Sequence, residues 1–218
     1  MHQIENNLRR AGADSIGTRF LLTVERFADR IALREHNAGI SYRTLLDRVL
    51  HVAGGLKALE IGIGDSVVVS VSTTTDGVVA ILAILFVGAI YVPVEEGYPP
   101  ERIAAIVSDV NAKAAIVDMR TAATTVDVLN DARVTIGQYA TLIESRSLDA
   151  ARVHTDAASI ASILYTSGST GKPKGVAQIH RNVLHHVDTL TRRFSIDHED
   201  RQTLLASLAF DGSTTDLY

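Results

Sequence analysis

Two periodicities alternate along the chain. Phe20, Val24 and Phe27 recur at helical spacing between Arg19 and Ala28 and predict a short amphipathic helix. Ile31 to Arg34 reads as a strand, and Asn37-Ala38-Gly39 as a turn. Ser41 stands where it can cap a helix whose apolar positions, Leu45, Leu46, Val49, Ala53 and Leu56, share one face. Past Gly62 and Gly64, Asp65 to Val71, with Val67, Val68, Val69 and Val71, reads as a buried parallel strand. The Thr73–Asp76 cluster then leads into a helix near Val78. From Gly77 to Val94 the chain carries no charge. That stretch is shorter than the roughly 20 apolar residues a membrane span needs. Gly88 and Pro93 interrupt it and Glu95-Glu96 follow, so it predicts a buried helix running into a short strand.

Pro99-Pro100 precedes a helix with Ile103, Ile106, Val107 and Val110 on its apolar face. Ala114 to Val117 is a further strand. Between Ala122 and Leu148 the pattern supports no single assignment. Ile160 to Tyr165 reads as a strand, Asn182 to Phe194 as a helix with Val183, Leu184, Val187, Leu190 and Phe194 inward, and Leu204-Leu205-Ala206 as a last strand. Residues 1 to 17 show no periodicity and are expected to be poorly ordered. There is no internal repeat. Strands alternating with helices predict an α/β fold, layered, with largely parallel sheets flanked by helices. Ligands of such sheets sit beyond the carboxyl ends of the strands.

Composition narrows the functional classes. The chain has 218 residues, 46% apolar and 21% charged, with a net charge of −4 and no basic block, which gives phosphate-backbone binding no support. The polar, mixed-charge residues Met1 to Arg10 do not form a signal peptide. Without cysteine there is no disulfide framework and no thiolate zinc site, and the expected setting is cytoplasmic, with neither nucleic acid nor membrane as partner. His185 and His186 are neighbours and point to different sides of a helix, so both are read as solvated rather than as metal ligands. Arg192-Arg193 is read as a surface pair, and Tyr91 and Tyr98 as packing residues.

The chemistry concentrates between Tyr165 and Gly175. This stretch holds three glycines, four aliphatic hydroxyls and two of the four lysines, the others being Lys57 and Lys113. Glycines let backbone N–H groups approach a bulky anion, successive inward N–H groups form an anion-binding concavity, and lysine adds a point charge suited to phosphate. The stretch is not a G-x-x-x-x-G-K-[ST] phosphate loop. Only Ser169 and Thr170 separate Gly168 from Gly171, and Pro173 stands where that loop needs a hydroxyl. Pro173 also disfavours helix at Lys172. On composition alone, a plain surface loop is the competing reading.

Tyr165-Thr166-Ser167-Gly168-Ser169-Thr170-Gly171-Lys172-Pro173-Lys174-Gly175 resembles the signature loop of the adenylate-forming, AMP-binding enzymes. These include acyl-CoA synthetases, luciferases and nonribosomal peptide synthetase adenylation domains. Further stretches resemble family motifs in the same order. Ile40 to Leu45 is similar to "L-T-Y-x-E-L", Leu85 to Val94 to "L-K-A-G-x-A-Y-V-P-I", and Tyr98 to Arg102 to "Y-P-x-E-R". Phe210-Asp211-Gly212-Ser213 is similar to the "F-D-x-S" of members that activate amino acids. The resemblance covers roughly residues 20 to 218 and is strongest to the first part of a nonribosomal peptide synthetase adenylation domain.

The resemblance implies ATP-dependent activation of a carboxylate, most often an α-amino acid, as aminoacyl-AMP, with Mg²⁺ and release of pyrophosphate. It places Thr166, Ser167, Gly168, Ser169, Thr170, Gly171, Lys172 and Lys174 on the ATP phosphates. It pairs Asp211 with the substrate ammonium and sets Gly212 and Thr215 along the substrate pocket. Read by itself, Asp211 would be a helix N-cap, and that alternative stays open. A carrier protein bearing phosphopantetheine on a separate domain is an implied partner. In the family, an adenine-stacking segment, a ribose-binding Asp and a small C-terminal domain with the catalytic Lys follow. None has a counterpart here, so no catalytic residue is assigned. Residues 18 to 218 are expected to form a partial adenylation domain, lacking the rest of the large domain and the small one. The alternatives are an acyl- or aryl-CoA ligase, and a catalytically incomplete fragment that only binds.

Overall fold

The computed structural model describes residues 15–95, 97–150, 155–167, 173–209 and 217. Helix α1 (Ile16–Phe27) starts three residues before its periodicity suggests, because the Ser15 hydroxyl caps it by accepting from the Thr18 amide. Residues 15 to 17, expected within a poorly ordered N-terminus, therefore belong to a capped and buried helix start. Strands β1 (Ile31–Glu35) and β2 (Ala38–Ser41) form a separate antiparallel hairpin around the expected turn. Ser41 caps α2 (Tyr42–Ala58) as expected, accepting from the Thr44 amide.

Strand β3 (Ser66–Ser70) is buried at every position. Val67 and Val69 enter one hydrophobic cluster and Val68 the other, so both faces of the sheet are covered. Helix α3 (Thr75–Phe86) is buried from Gly77 to Phe86 and feeds β4 (Ile90–Pro93), so the uncharged stretch is a core helix followed by a strand. Among the described residues no helix is long and apolar enough to cross a membrane. Helix α4 (Pro100–Asp109) and β5 (Ala114–Val117) fall where expected. The unassigned region resolves into α5 (Ala123–Asp131), β6 (Thr135–Gln138) and the single turn α6 (Tyr139–Leu142). These elements are too short to show a period of their own.

Strands β7 (Ile160–Ser167) and β8 (Pro173–Ile179) and helix α7 (His180–Phe194) complete the fold. The six-stranded sheet has the order β6-β5-β3-β4-β7-β8, parallel except for β8, which returns antiparallel to β7. Helices α1, α2 and α3 supply the cluster on one face, with α7 adding Val183 and Leu184. Helices α4 and α5 supply the cluster on the other. The α/β layered expectation holds.

Two local expectations fail. Leu204-Leu205-Ala206 is not a strand. The segment packs Leu208 against the core and leaves Leu205 85% exposed. Phe194 is 65% exposed rather than inward, since the apolar face of α7 reaches full burial only in its first turn and a half.

Candidate functional site

The glycine-rich stretch joins two paired strands. Register pairs Tyr165 with Gly175, Thr166 with Lys174 and Ser167 with Pro173, so the stretch is the connection of a β-hairpin at the carboxyl end of β7. Pro173 opens β8, a position where its missing N–H costs no interior ladder bond. The strand after Lys172 agrees with the expectation that no helix opens there.

Directly paired residues project to one face of an antiparallel pair, so Thr166 and Lys174 stand side by side at the mouth of the connection. Both are exposed. A hydroxyl donor and an ammonium are thus brought together by register rather than by sequence adjacency. Of the other residues expected to hold phosphate, Ser167 is placed by its backbone pairing alone. Gly168, Ser169, Thr170, Gly171 and Lys172 lie outside the described residues, as do Asp211, Gly212 and Thr215.

The chain running toward Asp211 is described as far as Ala209. Ser207, Leu208 and Ala209 border a crevice of about 430 Å³ with Val69 and Val71 of the β3 end and Pro93 and Val94 of the β4 end. Leu208 reaches this place because residue 77 is glycine. A Cβ there would lie 2.4 Å from the Ser72 carbonyl and 2.9 Å from Leu208 Cδ1. Since β4 and β7 are parallel neighbours, this segment and the hairpin connection occupy the same end of the sheet.

A larger crevice, about 840 Å³, opens beyond β3, β5 and β6. There the crossover connections of β3 and β5 diverge, the usual ligand position in such a sheet. Two of its backbone donors are engaged by the chain itself. Glu35 Oε2 accepts from the Thr75 amide at 2.9 Å at the start of α3, and Asp118 Oδ2 from the Ser72 amide at 3.1 Å. The Thr75 hydrogen bond holds the Glu35 carboxyl below its ordinary range. Two carboxylates seated on these amides disfavour a phosphate at these two donors, while Arg48 and Arg120 line the same crevice.

Two residues at the stem went unnoticed in the sequence. Tyr165 is buried, and its hydroxyl donates to Asp109 Oδ2 at 2.5 Å. Burial first, then this bond and the Asp109 charge, raise the phenol well above its ordinary pKa. His180 begins α7 and is wholly buried. Its Nδ1 accepts from the Ile16 amide at 3.3 Å, its own amide donates to the Ser159 carbonyl, and burial lowers its pKa to about 4. Neither contact has a local sequence signal, because the partners lie 56 and 164 positions away. His185 and His186 are exposed, and Tyr91 is buried in the core, as expected. Tyr98 packs beside the α4 cluster beneath the Arg102 guanidinium, 4.2 Å from its ring centroid.

Known proteins match this arrangement. Surfactin synthase subunit 1 of Bacillus subtilis is 32% identical over 98% of this chain, and tyrocidine synthase 1 of Brevibacillus parabrevis 32% identical over 95%. The chain spans only 6% and 19% of their lengths. The N-terminal subdomain of Klebsiella oxytoca NpsA, solved in complex with 3-hydroxybenzoyl-AMSN, superposes with a TM-score of 0.78 at 26% identity, over 93% of this chain and 50% of that one. The AMP-binding enzyme model matches residues 20–218. On the hairpin, the sheet and this match together, the chain belongs to the AMP-binding enzyme family.

Proposed function

We propose that this chain supplies the phosphate-holding part of an AMP-forming ligase that activates an α-amino acid, as in nonribosomal peptide synthesis. The observation that carries the reading is the hairpin register, which sets Thr166 and Lys174 together at the carboxyl end of the sheet. The exposed hydroxyl and ammonium fit a polyanion, and the glycines between them leave room for backbone donors. ATP, when bound, supplies the phosphoanhydride whose cleavage drives acyl activation.

The chain's own part is to hold the β- and γ-phosphates. Thr166, Ser167, Ser169 and Thr170 offer hydroxyls, Gly168 and Gly171 offer unobstructed N–H groups, and Lys172 and Lys174 offer charge. Donors aimed at the leaving pyrophosphate would stabilise the charge it develops. Mg²⁺ would come with the phosphates. Asp211 would meet the substrate ammonium, with Gly212 and Thr215 beside it, and a carrier protein with phosphopantetheine would receive the acyl group in a cytoplasmic assembly. An acyl- or aryl-CoA ligase would lack the ammonium contact, so preference for an α-amino acid over its deaminated analogue separates the two.

The test is calorimetric titration of the 218-residue chain with Mg-pyrophosphate. The double variant Thr170→Ala with Lys172→Ala should bind at least about tenfold more weakly, the loss expected for one charge-assisted and one neutral hydrogen bond. Equal affinity in the variant would remove the loop from the phosphate site.

A further inference from the structure

The hairpin stem is held by a contact on the face opposite Thr166 and Lys174. Tyr165 and Gly175 are cross-strand partners, and the Tyr165 ring lies over the glycine. A Cβ at residue 175 would sit 3.1 Å from Tyr165 Cζ, 3.2 Å from its hydroxyl oxygen and 3.0 Å from Ile163 Cγ2. Glycine therefore leaves the gap through which the ring crosses β8. Beyond that gap the hydroxyl reaches Asp109, the last residue of α4. Tyr165 belongs to the same buried cluster as Ile103, Ile106 and Val107 of α4. Among the described residues strand β8 is the sheet edge, exposed from Lys174 to Ala177, and besides β7 it contacts α4.

We infer that Tyr165 and Asp109 are positioning residues for the phosphate loop, their hydrogen bond across Gly175 fixing the Thr166–Lys174 register and so the aim of the connection. This rests on the reading of the hairpin as the phosphate site. The geometry explains three residues together. Tyr165 must carry a hydroxyl, because phenylalanine fills the same space without reaching Asp109. Residue 175 favours glycine, because a Cβ there would meet the ring at 3.1 Å and push it by a few tenths of an ångström. Asp109 must accept, because it meets a buried donor with no other partner among the described residues. A hydroxyl bonded to a carboxylate is among the stronger neutral-to-charged contacts, and it acts one residue before the first phosphate-facing position.

The test uses the 218-residue chain and the variants Tyr165→Phe, Asp109→Ala, Asp109→Asn and the double variant Tyr165→Phe/Asp109→Ala. Two quantities are read: amide hydrogen exchange along β7 and β8, and affinity for Mg-pyrophosphate. Tyr165→Phe and Asp109→Ala should each speed exchange at residues 164–166 and 174–176 by about tenfold, while Ala115 to Val117 of β5 stay unchanged. Asp109→Asn keeps an acceptor and should remain within about twofold of the parent. The double variant should be no worse than either single one, as required of two halves of one bond. Pyrophosphate affinity should fall about fivefold in the same variants that exchange faster, and in no others.

Unchanged exchange in Tyr165→Phe, or additive effects in the double variant, overturns the brace. Faster exchange with undiminished pyrophosphate affinity overturns its positioning role. If the parent chain binds no pyrophosphate, the phosphate reading of the loop fails instead, and the exchange arm decides the brace by itself.

Discussion

His180 shows how one residue couples distant parts of the chain. It opens α7 directly after the hairpin and accepts from the first amide of α1 through Nδ1. Only the neutral ring can accept, and burial keeps it neutral, lowering its pKa from 6.5 to about 4. Between those values the unfolded chain binds the extra proton. Stability from this group is therefore complete above pH 6.5, declines as pH falls, and is gone near pH 4. A shift of this size corresponds to about 3 kcal/mol at most. His180→Asn keeps an acceptor near the Nδ1 position and does not titrate, so its urea midpoint should be flatter across that window than the parent's. An unchanged slope would assign the acid sensitivity elsewhere. The lowered carboxyls lose their contributions at still lower pH. Glu35 is held down by the Thr75 amide. In Asp65 burial opposes ionisation, and Lys113 and the Gly62 amide outweigh it.

Elements meet where glycines allow it. Helix α2 was legible from its cap and its stripe, yet its contact with the 146–148 segment was not. A Cβ on Gly54 would lie 1.8 Å from the Arg146 carbonyl oxygen, a backbone atom that cannot swing aside. Gly54→Ala gains helix propensity but forces that segment away, and overpacking of this kind costs typically 1–3 kcal/mol. The melting temperature should drop by at least about 3 °C in a chain of this size. A rise would show that the segment detaches freely from α2. The same reasoning explains why the sequence between Ala122 and Leu148 stayed silent. Elements of four to nine residues carry at most about two and a half helical turns of pattern, and α5, β6 and α6 are specified by what they pack against.

At the scale of the molecule, the sheet has one well-covered side and one open margin. Strands β3, β4 and β5 are buried on both faces, while β8 ends the sheet with Val176 49% exposed. An exposed edge strand bearing an apolar side chain is a template for pairing with another copy. Phe194 at 65% exposure adds apolar surface on the helix that follows β8. Val176→Lys should raise the concentration at which light scattering reports self-association, without lowering the melting temperature by more than about 1 °C, since an exposed position contributes little burial. Unaltered scattering would show that β8 is not the surface through which copies meet.

Periodicity alone determined the α/β class, the buried character of Asp65–Val71 and Gly77–Val94, and the position of the glycine-rich stretch at a strand's end. Those features are written locally, in spacing and in runs, and each segment carries its own signal. The tertiary structure decided the rest. That β8 returns antiparallel, so that Lys174 faces Thr166, depends on cross-strand pairing. That Leu204–Ala206 is no strand, with Leu208 packed on the core instead, shows only in the folded chain. That Tyr165 reaches Asp109 over Gly175, and His180 reaches Ile16, depends on side chains meeting across 56 and 164 residues. A sequence states what each residue prefers, and long-range contacts are settled only when the sheet and its helices close around a shared core.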